Sequence, residues 1–199
     1  MDFEMFSLPA VALLSLTSLV VLASRDWRLT ITALGVQYVG VFVLVGASWS
    51  LEMSTVKLVA GWMATAILGA TQSGGLSGAI ERGRPSGSLF RLLAGGLVTL
   101  IVFSVAPKAI DWAPEVGASQ AHGGLLLIGM GLLMLGLTAQ PLRVALGLLI
   151  VFSGFEIYSA AVERSVLVAG LLTLVNLSLA LVGAYLHVVS QLKEPGVAE

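Results

Sequence analysis

The chain has 199 residues, of which 57% are hydrophobic and only 11% charged, with a mean hydropathy of +1.00. Soluble domains carry about 25% charged residues, so a soluble globular fold is excluded. Ten Lys and Arg against eleven Asp and Glu give a net charge of −1, leaving no cationic surface for nucleic acid. The absence of cysteine excludes disulfide staples, thiolate metal sites and iron–sulfur clusters built from this chain alone.

The apolar runs predict seven membrane-spanning helices, over residues 6–23, 29–49, 55–70, 89–106, 123–139, 142–162 and 166–189. About 20 apolar residues cross the hydrocarbon core. No run shows the period-2 alternation of a membrane barrel, so the expected class is an all-α integral membrane protein, a bundle of seven helices. The whole chain, 1–199, reads as one membrane domain: helices one to three over 1–70, a Gly-rich loop and fourth helix over 71–106, and three further helices over 107–199.

Sidedness follows from the basic residues. With seven crossings, Arg25, Arg28, Arg82, Arg84, Arg91, Arg143 and Lys193 fall on one side and only Lys108 and Arg164 on the other. The positive-inside rule then puts the N-terminus outside and the C-terminus inside. Asp2 and Glu4, with no basic n-region, argue against a cleaved signal peptide. Trp27 and Trp49, 22 residues apart, are expected to bracket the second span in two aromatic belts. The loop over 71–88 has glycines at 74, 75, 78, 83 and 87 but no Gly-Lys-Ser/Thr ending. It reads as a flexible connector with a headgroup-facing basic end, not a nucleotide cradle.

Two ionisable residues fall at membrane depth. Glu156 lies in the outer half of the sixth span, with Ser153 and Ala160 on its face. Lys57 lies just inside the outer end of the third, with Gly61 and Ala64 on its face. A bare charge at the bilayer centre costs about 2.5–3.5 kcal/mol on insertion scales. One solution is a Lys57–Glu156 pair able to take up and release a proton. The other has Lys57 snorkelling to the headgroups and Glu156 serving as a neutral hydrogen-bond partner. Ala169, Thr173, Asn176, Ala180, Gly183 and His187 form a small, polar face on the seventh span. Thr30, Ala33, Gln37 and Gly40 form a shorter one on the second, where a mid-depth Gln37 amide requires a partner. His122 and His187 fall at opposite ends of their spans, too far apart to share a haem. No metal cluster or nucleophile stands out, so neither cofactor nor catalytic residue is expected in this chain.

Spans one to three and five to seven run in the same direction, which allows parallel repeats linked by the fourth. Arg28, Gly35 and Gln37 would correspond to Arg143, Gly147 and Leu149. The stretch GGLLLIGMGLLMLGLTAQPLRVALGLLIVFSGFEIYSA, residues 123–160, resembles the first two helices of the small K-type membrane subunit of respiratory complex I. The whole layout, with its opening TSLVVLASRDWRLTITALG, is similar to component E of the energy-converting, formate-hydrogenlyase-type hydrogenases, whose C-terminal part carries a K-type unit. The family's carboxylate falls at Leu149, and Glu156 stands two turns further on nearly the same face. Its next carboxyl has no ionisable match; Asn176 is the nearest polar residue.

The resemblance implies a non-catalytic membrane subunit of a complex-I-like, proton- or sodium-translocating oxidoreductase in a bacterial or archaeal cytoplasmic membrane. Glu156, Lys57, Gln37 and Asn176 would form its proton or ion path. Its partners would be antiporter-like membrane subunits, a peripheral redox arm and lipids. The alternatives are a structural or assembly subunit of another membrane complex and a small self-contained transporter.

Overall fold

The apolar runs fold into helices because a backbone in hydrocarbon must satisfy its own hydrogen bonds. A computed structural model describes residues 3–24, 26–73 and 86–193. It contains α1 (Phe3–Ala23), α2 (Trp27–Gly46), α3 (Leu51–Ser73), α4 (Ser86–Trp112), α5 (Ala118–Leu137), α6 (Pro141–Val162) and α7 (Val166–Lys193). All seven are long and apolar enough to cross a membrane, and no strand occurs among the described residues. Arg25, Arg82, Arg84 and the glycines at 74, 75, 78 and 83 lie outside the described residues.

Local chemistry sets several helix ends. Asp26 caps α2, its carboxylate accepting from the Arg28 amide at 2.9 Å. Gln120 reaches back to the Gly117 amide at the start of α5, at 3.1 Å. Pro141 opens α6, at the one helical turn where its missing N–H costs nothing. α4 runs through Pro107 to Trp112 and α5 starts at Ala118, so both pass beyond the expected ends at 106 and 123.

The helices stand in two rows. α1, α2 and α3 pack in sequence, as do α5, α6 and α7; α1 also packs on α5, α2 on α6 and α3 on α7, while α4 lies against α1 and α5. Glycines let α5 and α6 approach most closely. A methyl at Gly154 would meet the Gly124 carbonyl at 2.6 Å, and one at Gly131 the Gly147 carbonyl at 2.7 Å. Such small-residue seams are how apolar helices associate where no hydrophobic drive separates them from lipid.

Hydrogen bonds between helix ends define two rims. At the first, Ser119 donates to Ser7 and the Gln120 amide donates to the Leu44 carbonyl and the Ser48 hydroxyl. At the second, Arg143 donates to the Ser24 carbonyl at 2.7 Å and Gln72 meets His187 at 2.6 Å. Trp49 corrects the aromatic-belt expectation. It follows the end of α2, is buried, and its indole donates to the Glu163 carbonyl at 3.0 Å. It therefore ties the α2–α3 turn to the α6–α7 turn at the first rim, and does not face headgroups.

A buried ion pair between helices three and six

Lys57 is six residues after Leu51, and Glu156 six before Val162. At 1.5 Å per residue both stand about 9 Å inside the first rim. The Lys57 stripe on α3 (Ser54, Lys57, Gly61, Ala64, Leu68) and the Glu156 stripe on α6 (Leu149, Ser153, Glu156, Ala160) are both buried. The Lys57 Nζ meets Glu156 Oε1 at 2.5 Å, with side-chain exposures of 4% and 3%. The snorkelling expectation for Lys57 is thereby overturned. Its ammonium turns inward because the interior offers a carboxylate at its own depth, and that contact offsets what water would have supplied.

A second contact continues the pair inward. Tyr38 of α2 donates its hydroxyl to Asn176 Oδ1 on α7 at 3.2 Å, and that hydroxyl also lies near Ser153 and within the field of Glu156. Gly61 makes room for the Tyr38 ring, since a methyl there would overlap it. Ser153 does not spend its hydroxyl on the pair; it donates to the Leu149 carbonyl one turn back, at 2.8 Å. Lys57, Glu156, Tyr38 and Asn176 thus place charged or hydrogen-bonding groups from four helices in one buried cluster. Of these, Tyr38 escapes sequence reasoning. Its signal is a phenol at mid-span, since a buried tyrosine hydroxyl needs a partner.

Gln37 behaves otherwise. It is 1% exposed, yet among the described residues neither its amide oxygen nor its nitrogen has a partner, and the buried Ser18 hydroxyl on α1 is equally unmatched. The expected partner for Gln37 is therefore missing, and Gln37 makes no hydrogen bond with the Lys57–Glu156 cluster. The α7 stripe does face the bundle, with Ala169, Asn176, Ala180 and Gly183 buried and Thr173 and His187 half-buried.

Chemically, an ammonium and a carboxylate in contact can share or pass a proton within the pair. Exchange with bulk is another matter. Glu156 is 2% exposed and Lys57 5%. Between Asn176 and the Gln72–His187 contact, Ala64 and Leu68 of α3 and Ala180 of α7 are each at 0% exposure. The polar groups form two stations, one toward each rim, with an apolar seam between them.

No protein-family model, no curated protein and no solved structure matches this chain.

Proposed function

We propose that the chain is a non-catalytic membrane subunit of a complex-I-like, proton- or sodium-translocating oxidoreductase assembly, with Lys57 and Glu156 as its buried ionisable centre. The single observation that carries the reading is the sealed Lys57–Glu156 contact with the Tyr38–Asn176 bond beside it. Intramembrane ionisable residues are rare, pair inside bundles and mark ion pathways. Glu156 takes the place of the carboxylate that the resembling family holds two turns earlier, at Leu149. The first rim faces outside and the second inside, as the distribution of basic residues favours. The membrane is a bacterial or archaeal cytoplasmic membrane, and the redox centres belong to partner subunits.

The test is gentle extraction of the native assembly, with native-gel sizing and mass spectrometry of what comigrates. Comigration with antiporter-like subunits and a redox arm is the expected result; migration as a small homo-oligomer refutes the reading. In the assembled complex, Glu156→Gln lowers redox-driven proton movement while leaving assembly intact. Wild-type pumping by that variant removes the proton role.

One observation favours a second reading, a structural or assembly subunit of another membrane complex. The seam between the two polar stations is closely packed and apolar, so the ion pair would serve to fix which helices meet and in what register. Under this reading the pair can be replaced by apolar residues without loss of coupled transport.

A further inference from the structure

A separate feature lies at the second rim, on the far side of the bundle from the ion pair. The N-terminal part of α4 and the α5–α6 turn enclose an open cleft of about 440 Å³, lined by Arg91, Leu137, Thr138, Ala139, Gln140 and Pro141. The cleft is open to its surroundings and wide enough to admit a phosphate group. None of the lining residues is acidic. Arg91 is half-buried there and, among the described residues, has no hydrogen-bond or ion-pair partner. Arg143 stands close by, sharing Arg91, Leu137 and Thr138 as neighbours with Leu22 and Met134. Its guanidinium is anchored by the bond to the Ser24 carbonyl.

Two more features suit an anion. The cleft reaches Gln140 and Pro141 at the start of α6, so the positive end of that helix dipole acts on it. The Thr138 hydroxyl, which accepts from the Gln140 amide at 3.3 Å, retains its own proton to donate. The depth also fits. α5 and α6 have 20 and 22 residues, about 30–33 Å at 1.5 Å per residue, which matches the hydrocarbon core. Their connecting turn therefore sits at headgroup level. Beside the cleft, α4 exposes Leu92, Leu93 and Leu97, an apolar wall against which acyl chains can lie.

We propose that this cleft binds the phosphate of an anionic phospholipid, with Arg91 as the principal ligand, the Thr138 hydroxyl as an auxiliary donor and the α6 dipole as a favourable field. Arginine suits this task because its planar fork matches two phosphate oxygens at once. Basic pockets between spanning helices recognise anionic headgroups in this way. The site is independent of the Lys57–Glu156 pair and of any transport role.

The test uses the full chain in mild detergent, with phosphatidylglycerol or phosphatidylcholine added in turn and retained lipid read by native mass spectrometry. Wild type is expected to hold phosphatidylglycerol in preference to phosphatidylcholine. Arg91→Gln is expected to weaken that retention at least about tenfold, as loss of a charge-assisted bond implies, while its melting temperature without lipid stays at the wild-type value. Arg91→Lys, which keeps the charge and therefore the fold, is expected to retain the preference at reduced strength. Equal retention of the two lipids by wild type overturns the proposal, as does undiminished retention by either variant. If inorganic phosphate raises the melting temperature as much as phosphatidylglycerol does, the site belongs to free phosphate and the lipid assignment fails.

Discussion

Removing one partner of the Lys57–Glu156 pair strands a charge where the structure leaves 3–4% of the side chain exposed. Breaking a buried pair from one side costs about 3–5 kcal/mol, whereas replacing both partners with apolar residues of similar volume is often neutral or stabilising. The two single variants are not equivalent. Glu156→Leu leaves Lys57 about 9 Å from the first rim, where its four-carbon stem can carry the ammonium part of the way to the headgroups. Lys57→Met leaves Glu156 on a shorter stem with no such escape. Lys57→Met is therefore expected to cost the upper part of that range and Glu156→Leu the lower, while Lys57→Met/Glu156→Leu returns close to wild type. With about 2–4 °C per kcal/mol for chains of 150–250 residues, the single variants should melt about 6–20 °C lower. Thermal unfolding in detergent, followed through the fluorescence of Trp49 and Trp62, reads all four states of the cycle. Single-variant losses below about 1 kcal/mol, the size of an exposed pair, would refute the claim that the contact is desolvated. Additive losses in the double variant would refute the coupling.

Two further outcomes follow from packing and hydrogen bonding. Gly61→Ala drives a methyl into the Tyr38 ring, which is 3% exposed and held by Asn176, whereas a methyl at Gly96 meets nothing within 4 Å. Melting in detergent should show about 1–3 kcal/mol lost at Gly61, as for overpacked cores, and no loss at Gly96; equal effects would contradict the close approach of α2 and α3. Gln37→Leu removes a buried amide that has no partner among the described residues. Since an unsatisfied buried polar group costs about 1–3 kcal/mol, this variant should be at least as stable as wild type, and destabilisation by the same measurement would mean that Gln37 has a bonded partner after all.

The seven helices were legible because a spanning segment must be continuously apolar over a fixed length, a constraint on composition alone. Their ends were less so. α3 begins at Leu51, not at residue 55, because Glu52 is exposed at the rim and a helix continues into the interface without cost. Trp49 was misread because tryptophan at a span end suits a headgroup belt and an inter-loop tether equally well; only the position of the Glu163 carbonyl separates them. Depth can be counted along the chain, so Lys57 and Glu156 were legible as residues of matching level. Their contact was not, because azimuth depends on which helices are neighbours. α3 and α6 are brought together by their shared packing on α2 and α7, and no residue of either helix encodes that by itself. Tyr38 was overlooked for a related reason. Its neighbour Gln37 is the more conspicuous polar residue, yet the two side chains point to different faces of α2, and only the Tyr38 face meets the ion pair.

The separation between the two polar stations is the quantity on which the functional readings divide. His187 comes eleven residues after Asn176 on α7, about 16 Å of helix. A proton moves between groups about 2.7–3.2 Å apart, so crossing that interval takes a file of roughly five or six waters. Ala64, Leu68 and Ala180, each at 0% exposure, occupy the seam instead. Translocation through Glu156 toward the second rim therefore requires α7 to shift against α3 and admit water. Ala180 and Gly183 keep the α7 face small, so that Leu68 of α3 is the large side chain such a shift must displace. A methyl at Gly183 would overlap Ala145 of α6, however, so the same smallness also locks α7 closely in its present seat. A purely structural subunit needs only the locked state, and a translocating one needs both. The ion pair is common to the two readings, so the hydration of this seam during turnover, and not the presence of the charges, is what distinguishes them.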